Sequence, residues 1–166
     1  MVKNLKIYKN FDLTQKDKGT IILIGNFDGL HRGHQKLFNK AKSFKKKFKL
    51  RIGVITFDPI PKMFFKKLYN YRLSNFDQKI QLLKKSNVDF IINKKFNTKF
   101  SKISCFDFIK KILFKRIQPK YIFVSDNFRF GYKRAGDIKL LKSLEKDYNY
   151  KIINPSPLKT KKFLIS

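Results

Sequence analysis

The chain has 166 residues, 42% of them hydrophobic, enough for one domain with its own core and too few for two. No apolar run approaches the roughly 18 residues of a membrane span, MVKNLKIYKNF lacks a signal-peptide core, and the single cysteine excludes an intrachain disulfide or a cysteine-built zinc cluster. A formal charge of +29 ordinarily points to nucleic acid, but the lysines are spread along the whole chain amid many Phe, Asn and Ile, the pattern of an A+T-rich genome. Only nonspecific nucleic-acid binding is expected from it, in a cytoplasmic chain.

In chain order, TIILIGNF at 20–27 reads as a strand and HRGHQKLFNKAKSFKKKF at 31–48 as an amphipathic helix. Leu37, Ala41, Phe44 and Phe48 form its packed stripe, and its lysines face water. LRIGVITF at 50–57 is the next strand. DPIPKMFFKKLYNYR at 58–72 carries two prolines and no clear period, so it is expected to be a long loop, a kind of segment that is often functional. Helix RLSNFDQKIQLL and strand VDFIIN follow. The next helix is expected to bury Phe106, Ile109 and Leu113, with Cys105 as buried filler. Strand KYIFVS, a helix with Ile138, Leu141, Leu144 and Tyr148 on one side and Asp137 as its N-cap, and strand NYKIIN complete the pattern. The alternation predicts a single α/β domain, a Rossmann-like parallel sheet with helices on both faces.

The chemistry is concentrated at Gly25-Asn26-Phe27-Asp28-Gly29-Leu30-His31-Arg32-Gly33-His34, where the first of these strands gives way to its helix. In an open parallel sheet that is where ligands bind. Glycines let backbone approach a phosphate, and a helix N-terminus offers free N–H groups and partial positive charge. Two histidines three apart can face one ligand. Asp28 is read as helix-stabilising or ligand-orienting, since a carboxylate at a helix start favours the dipole.

Together these residues resemble the HxGH signature of the nucleotidylyltransferase superfamily, in the extended form GNFDGLHRGH found in bacterial FAD synthetases. TFDPIP at 56–61 resembles that family's TFDPHP, with Ile60 for His. RLSNFDQKIQLL resembles its RLTxxxEKxxLL, with Gln78 for Glu. SDNFRFGYKRAGD at 125–137 resembles its GxDFRFGxxRxGD, with Ser125 for Gly and Asn127 for Asp. The resemblance spans about residues 20–154 and implies transfer of AMP from ATP to FMN, giving FAD and pyrophosphate. It implies His31 and His34 as the catalytic pair, nucleotide contacts from Gly25, Asn26, Phe27, Asp28, Gly29, Asn127, Arg129, Phe130, Gly131 and Arg134, and flavin contacts from Asp58 and Pro59. Mg²⁺ is implied by ATP chemistry, with no ligand set visible in the sequence. The positive surface is expected to draw in ATP and FMN, both polyanions.

Family members continue with an IS[ST]TxIR element and many carry a riboflavin kinase domain, whereas this sequence stops at Ile165-Ser166. The expectation is a chain of one adenylyltransferase domain, 1–166, shortened at its end and unable to phosphorylate riboflavin; a kinase assay showing FMN formation overturns that. Two alternatives stay open: a sister transferase with another phosphorylated acceptor, and a binding-only remnant recognised by binding without pyrophosphate release. A basic RNA-binding protein is disfavoured, because no organised RRM or KH signature is present.

Overall fold

The computed structural model describes residues 5–29, 32–66 and 76–155, and the backbone alone at 158–160 and 163–165. Its centre is a six-stranded, wholly parallel sheet in the order β1-β4-β3-β2-β5-β6. The strands are β1 (Lys6–Tyr8), β2 (Ile21–Ile24), β3 (Ile52–Asp58), β4 (Phe90–Lys95), β5 (Tyr121–Phe123) and β6 (Lys151–Ile153). β2 is Ile-Ile-Leu-Ile and all four residues are buried, as expected of a strand covered on both faces. A separate antiparallel pair, β7 (Leu158–Thr160) and β8 (Phe163–Ile165), follows.

Two apolar layers flank the sheet. On one face Ile21, Leu23, Ile52, Val54, Ile91 and Phe123 pack against Leu37, Phe38 and Ala41 of α1 (Arg32–Phe48) and Ile80 and Leu83 of α3 (Phe76–Lys85). On the other, Ile22, Ile24, Ile55, Ile92 and Ile122 meet α5 (Cys105–Asp107), the π-helical segment Phe108–Ile117 that continues it, and Leu141 of α6 (Ile138–Ser143). Two short helices, α4 (Thr98–Ser101) and α7 (Glu145–Tyr148), complete the set. Asp137 caps α6 as expected, its carboxylate accepting from the Leu140 amide at 2.9 Å.

Three details differ from the expectations. The segment 58–72 is not loop throughout: α2 occupies Pro61–Lys66, because Pro61 presets the first helical φ and Met63 finds a buried place. Phe106 points to solvent at 62% exposure; Cys105, Phe108, Ile109, Ile112 and Leu113 take the inward positions instead, a stripe at i, i+3, i+4, i+7 and i+8 that starts one residue earlier and leaves Phe106 outside it. Phe48 is 41% exposed, its ring stacked on Tyr121 at 5.2 Å between centroids.

Candidate active site

From β2 the sheet grows outward through β3 and β4, then resumes with β5 on the opposite side of β2. The chains leaving β2 and β5 therefore diverge, and the crevice between them is where an open α/β sheet receives its ligand. Both signature loops lie there: residues 25–29 leave β2, and 124–137 leave β5.

The first loop is a turn built around an inward-facing ring. Gly25 donates its amide to the Ile55 carbonyl at 3.1 Å, and Phe27 adopts φ 49° while its side chain is 1% exposed. A non-glycine residue at positive φ costs about 1–3 kcal/mol unless the surroundings hold it. Here they do: the Phe27 ring meets His34 edge-on at 5.2 Å and Phe38 at 5.1 Å. A Cβ on Gly25 would come within 2.9 Å of that ring. Gly29, at φ 83°, comes just before the N-terminal end of α1, the positive end of that helix's dipole. His34 is half-buried in the first turns of α1, Asp28 is half-buried, and Asn26 is exposed. His31 lies outside the described residues.

Beneath the turn runs a polar line. The Asn26 carbonyl accepts from the Thr56 hydroxyl at 3.0 Å, and that hydroxyl accepts from the Lys79 ammonium at 3.0 Å. Thr56 is fully buried and Lys79 is 4% exposed. Neither was singled out as a site residue from sequence. The available signal was a lysine inside the apolar stripe Phe76, Ile80, Leu83 of α3.

The second loop folds back on itself through Phe130 and Gly136, whose backbones exchange hydrogen bonds of 3.1 and 2.8 Å. Ser125 Oγ donates to Asn127 Oδ1 at 2.9 Å, and Asn154 Nδ2 donates to Asp126 Oδ1 at 3.1 Å. Asn127, Arg129 and Arg134 are exposed, with Arg129 Nη1 3.7 Å from Asp137 Oδ2. The Phe130 ring is buried, stacked on Phe128 at 5.5 Å and packed on Phe108 at 5.4 Å, so the side chain belongs to the core. Gly131, at φ 81°, abuts the backbone of Cys105.

Asp58 and Pro59, joined by a cis peptide, end β3 and are half-buried; the Asp58 carbonyl accepts from the Phe96 amide at 3.1 Å. Beside them Phe57, Phe64 and Phe65 surround Phe96 at centroid distances of 6.0, 5.3 and 5.7 Å. Ile60, standing where the motif has histidine, is 4% exposed and packs inward. Among the described residues no three His, Cys, Asp or Glu side chains gather as a metal site.

The FAD synthetase family pattern matches residues 13–166 of this chain. The chain belongs to the FAD synthetase family. It is 38% identical over 148 residues to the bifunctional riboflavin kinase/FMN adenylyltransferase of Buchnera aphidicola subsp. Acyrthosiphon pisum, covering 89% of this chain and 47% of that one. Against the Escherichia coli K12 protein of the same name the identity is 33% over 136 residues, covering 81% and 44%. Against the FAD synthetase of Listeria monocytogenes it is 29% over 151 residues, covering 90% and 61%. The chain thus spans about half the length of the first two of these relatives. Among solved structures, one titled macrolide-efflux protein from Streptococcus pneumoniae superposes with TM-score 0.80 at 24% identity, covering 99% of this chain and 55% of that one. A pantoate-beta-alanine ligase from Francisella tularensis gives 0.60 at 20% identity, covering 95% and 69%. These two likenesses establish a shared fold.

Proposed function

We propose that residues 1–166 act as an FMN adenylyltransferase unit, transferring AMP from ATP to FMN to make FAD and pyrophosphate. The observation that carries this reading is the GNFDGLHRGH turn at the divergence of β2 and β5, facing the loop that bears Arg129 and Arg134. Family membership and the names of the relatives support the acceptor.

In this reaction an oxygen of the FMN phosphate attacks the α-phosphorus of ATP, the bond from that phosphorus to the β-bridging oxygen breaks, and pyrophosphate leaves with the electron pair. Positioning and charge stabilisation do most of the catalysis. The backbone of Gly25, Asn26, Phe27, Asp28 and Gly29 and the amides of α1 receive phosphate oxygens; His31 and His34 stabilise charge on the transferring group. The guanidinium groups of Arg129 and Arg134, with Asn127 and the backbone of Phe130 and Gly131, bind the nucleotide from the opposite loop, while Asp58 and Pro59 lie on the flavin side. Mg²⁺ enters with ATP as the MgATP substrate; among the described residues no group of three His, Cys, Asp or Glu side chains gathers to hold a metal. No described helix is long and apolar enough to cross a membrane; a cytoplasmic site of action is part of this proposal.

The test is to incubate the purified chain with FMN, ATP and Mg²⁺ and follow FAD and pyrophosphate. FAD formation lowered about 10²–10³-fold by His34→Ala, the size expected on losing one transition-state contact, supports the reading. ATP turnover with FMN unchanged and another phosphorylated acceptor consumed replaces FMN with that acceptor, and binding without pyrophosphate release replaces the transferase with a binding module.

A further inference from the structure

Lys79 occupies a position at which an apolar residue would serve the core. It lies on the face of α3 that covers the sheet, next to Ile80 and one turn before Leu83 of the buried stripe, and is 4% exposed. Burying an ammonium carries a desolvation penalty, so a lysine held there is not explained by stability. The sheet below is polar at the same end: Thr56 is the register partner of Asn93, and Asn93 Oδ1 is buried with no hydrogen-bond partner among the described residues. Buried polar side chains where these strands run out into the ligand crevice point to a role there.

We infer that Lys79 is a positioning residue for the nucleotide turn: through the Thr56 hydroxyl it fixes the Asn26 carbonyl, and it sets a buried positive charge behind the turn that receives the triphosphate. The two hydrogen bonds of 3.0 Å run in one direction, ammonium to hydroxyl to carbonyl. With its hydrogen committed to Asn26, the Thr56 hydroxyl has only its lone pairs to offer Lys79, and the Asn26 carbonyl is held away from incoming phosphate. A carbonyl turned into the crevice would repel that phosphate; one held inward leaves the amides to face it.

The inference rests on the nucleotide-binding role proposed for this turn, and its test separates the two. MgATP is titrated calorimetrically into the full chain and into Lys79→Met, Thr56→Val and Thr56→Ser, and amide hydrogen exchange is measured at residues 25–29 without ligand. Lys79→Met and Thr56→Val each weaken ATP binding about tenfold and speed exchange in the turn about tenfold, while Thr56→Ser restores both. Combining the two losses adds little, since they cut one chain of contacts. Wild-type affinity and wild-type exchange in Lys79→Met and Thr56→Val overturn the inference, as does a Thr56→Ser variant as impaired as Thr56→Val, which assigns the effect to packing. Should Lys79→Met fail to fold, the Thr56 pair decides. A wild-type chain that does not bind ATP overturns the functional reading alone, and the exchange rates still judge Lys79.

Discussion

A side chain at Gly131 would collide with protein in a direction that cannot yield. Its Cβ would stand 2.7 Å from the backbone N and Cα of Cys105, and its φ of 81° is one that other residues adopt at a cost. Gly131→Ala is therefore expected to destabilise the chain by about 2–4 kcal/mol, read as a lower urea midpoint at unchanged slope, and to displace the adjoining Arg129 and Arg134. At this scale the sequence was informative about residues whose role depends on a local turn, such as Gly25, Gly29 and the Asp137 cap. It was silent on Lys79, whose importance arises from Thr56 on another element. It also left Phe130 open between ligand and core, and the packing on Phe108 and Phe128 places that ring in the core.

Elements are joined by a few buried polar contacts, and one of them responds to pH. Tyr150, 5% exposed just before β6, donates its hydroxyl to the Leu141 carbonyl in α6 at 2.5 Å. Burial raises its pKa well above the ordinary phenol value of 10.0, and the nearby Glu145, Tyr148 and Asp147 add to the rise. Because the folded chain holds that proton more tightly than the unfolded one, its contribution is fully present below pH 10 and is lost as pH climbs toward the folded-state pKa. The wild-type unfolding midpoint should fall more steeply above pH 10 than that of Tyr150→Phe. At neutral pH the variant is about 1 kcal/mol less stable, the worth of one hydrogen bond. Strands β2 to β6 were legible because each is a short run rich in β-branched and aromatic residues, whereas β1 and the β7–β8 pair did not stand out as such runs. Helix α2 was not legible either, because six residues are too few to show a period and its prolines suggested a loop. The outward turn of Phe106 escaped as well, since Phe106, Ile109 and Leu113 fit a helical period as well as the stripe from Cys105 does, and periodicity alone does not choose between neighbouring faces.

Over the whole molecule the formal charge of +29 raises the local concentration of any polyanion and thereby its rate of encounter. Raising salt from roughly 0.01 to 0.1 M shortens the screening length from about 30 to about 10 Å, so KM for ATP should climb severalfold while kcat changes little, measured as initial FAD formation rates. A KM indifferent to salt confines the field to surfaces that ATP never meets.

The place of β1 in the sheet also orders the chain's assembly in time. Lys6–Tyr8 is made before its partner Phe90–Lys95, so it has nothing to pair with until β2, β3 and β4 have been made. Its other fastening matures earlier: Tyr8 donates to Asp17 at 2.6 Å and Arg51 donates to the same carboxylate at 2.9 Å, a clasp that closes once the start of β3 has emerged. Strand β1 is thus tied to a buried carboxylate made soon after it, while its place in the sheet waits for a strand made much later.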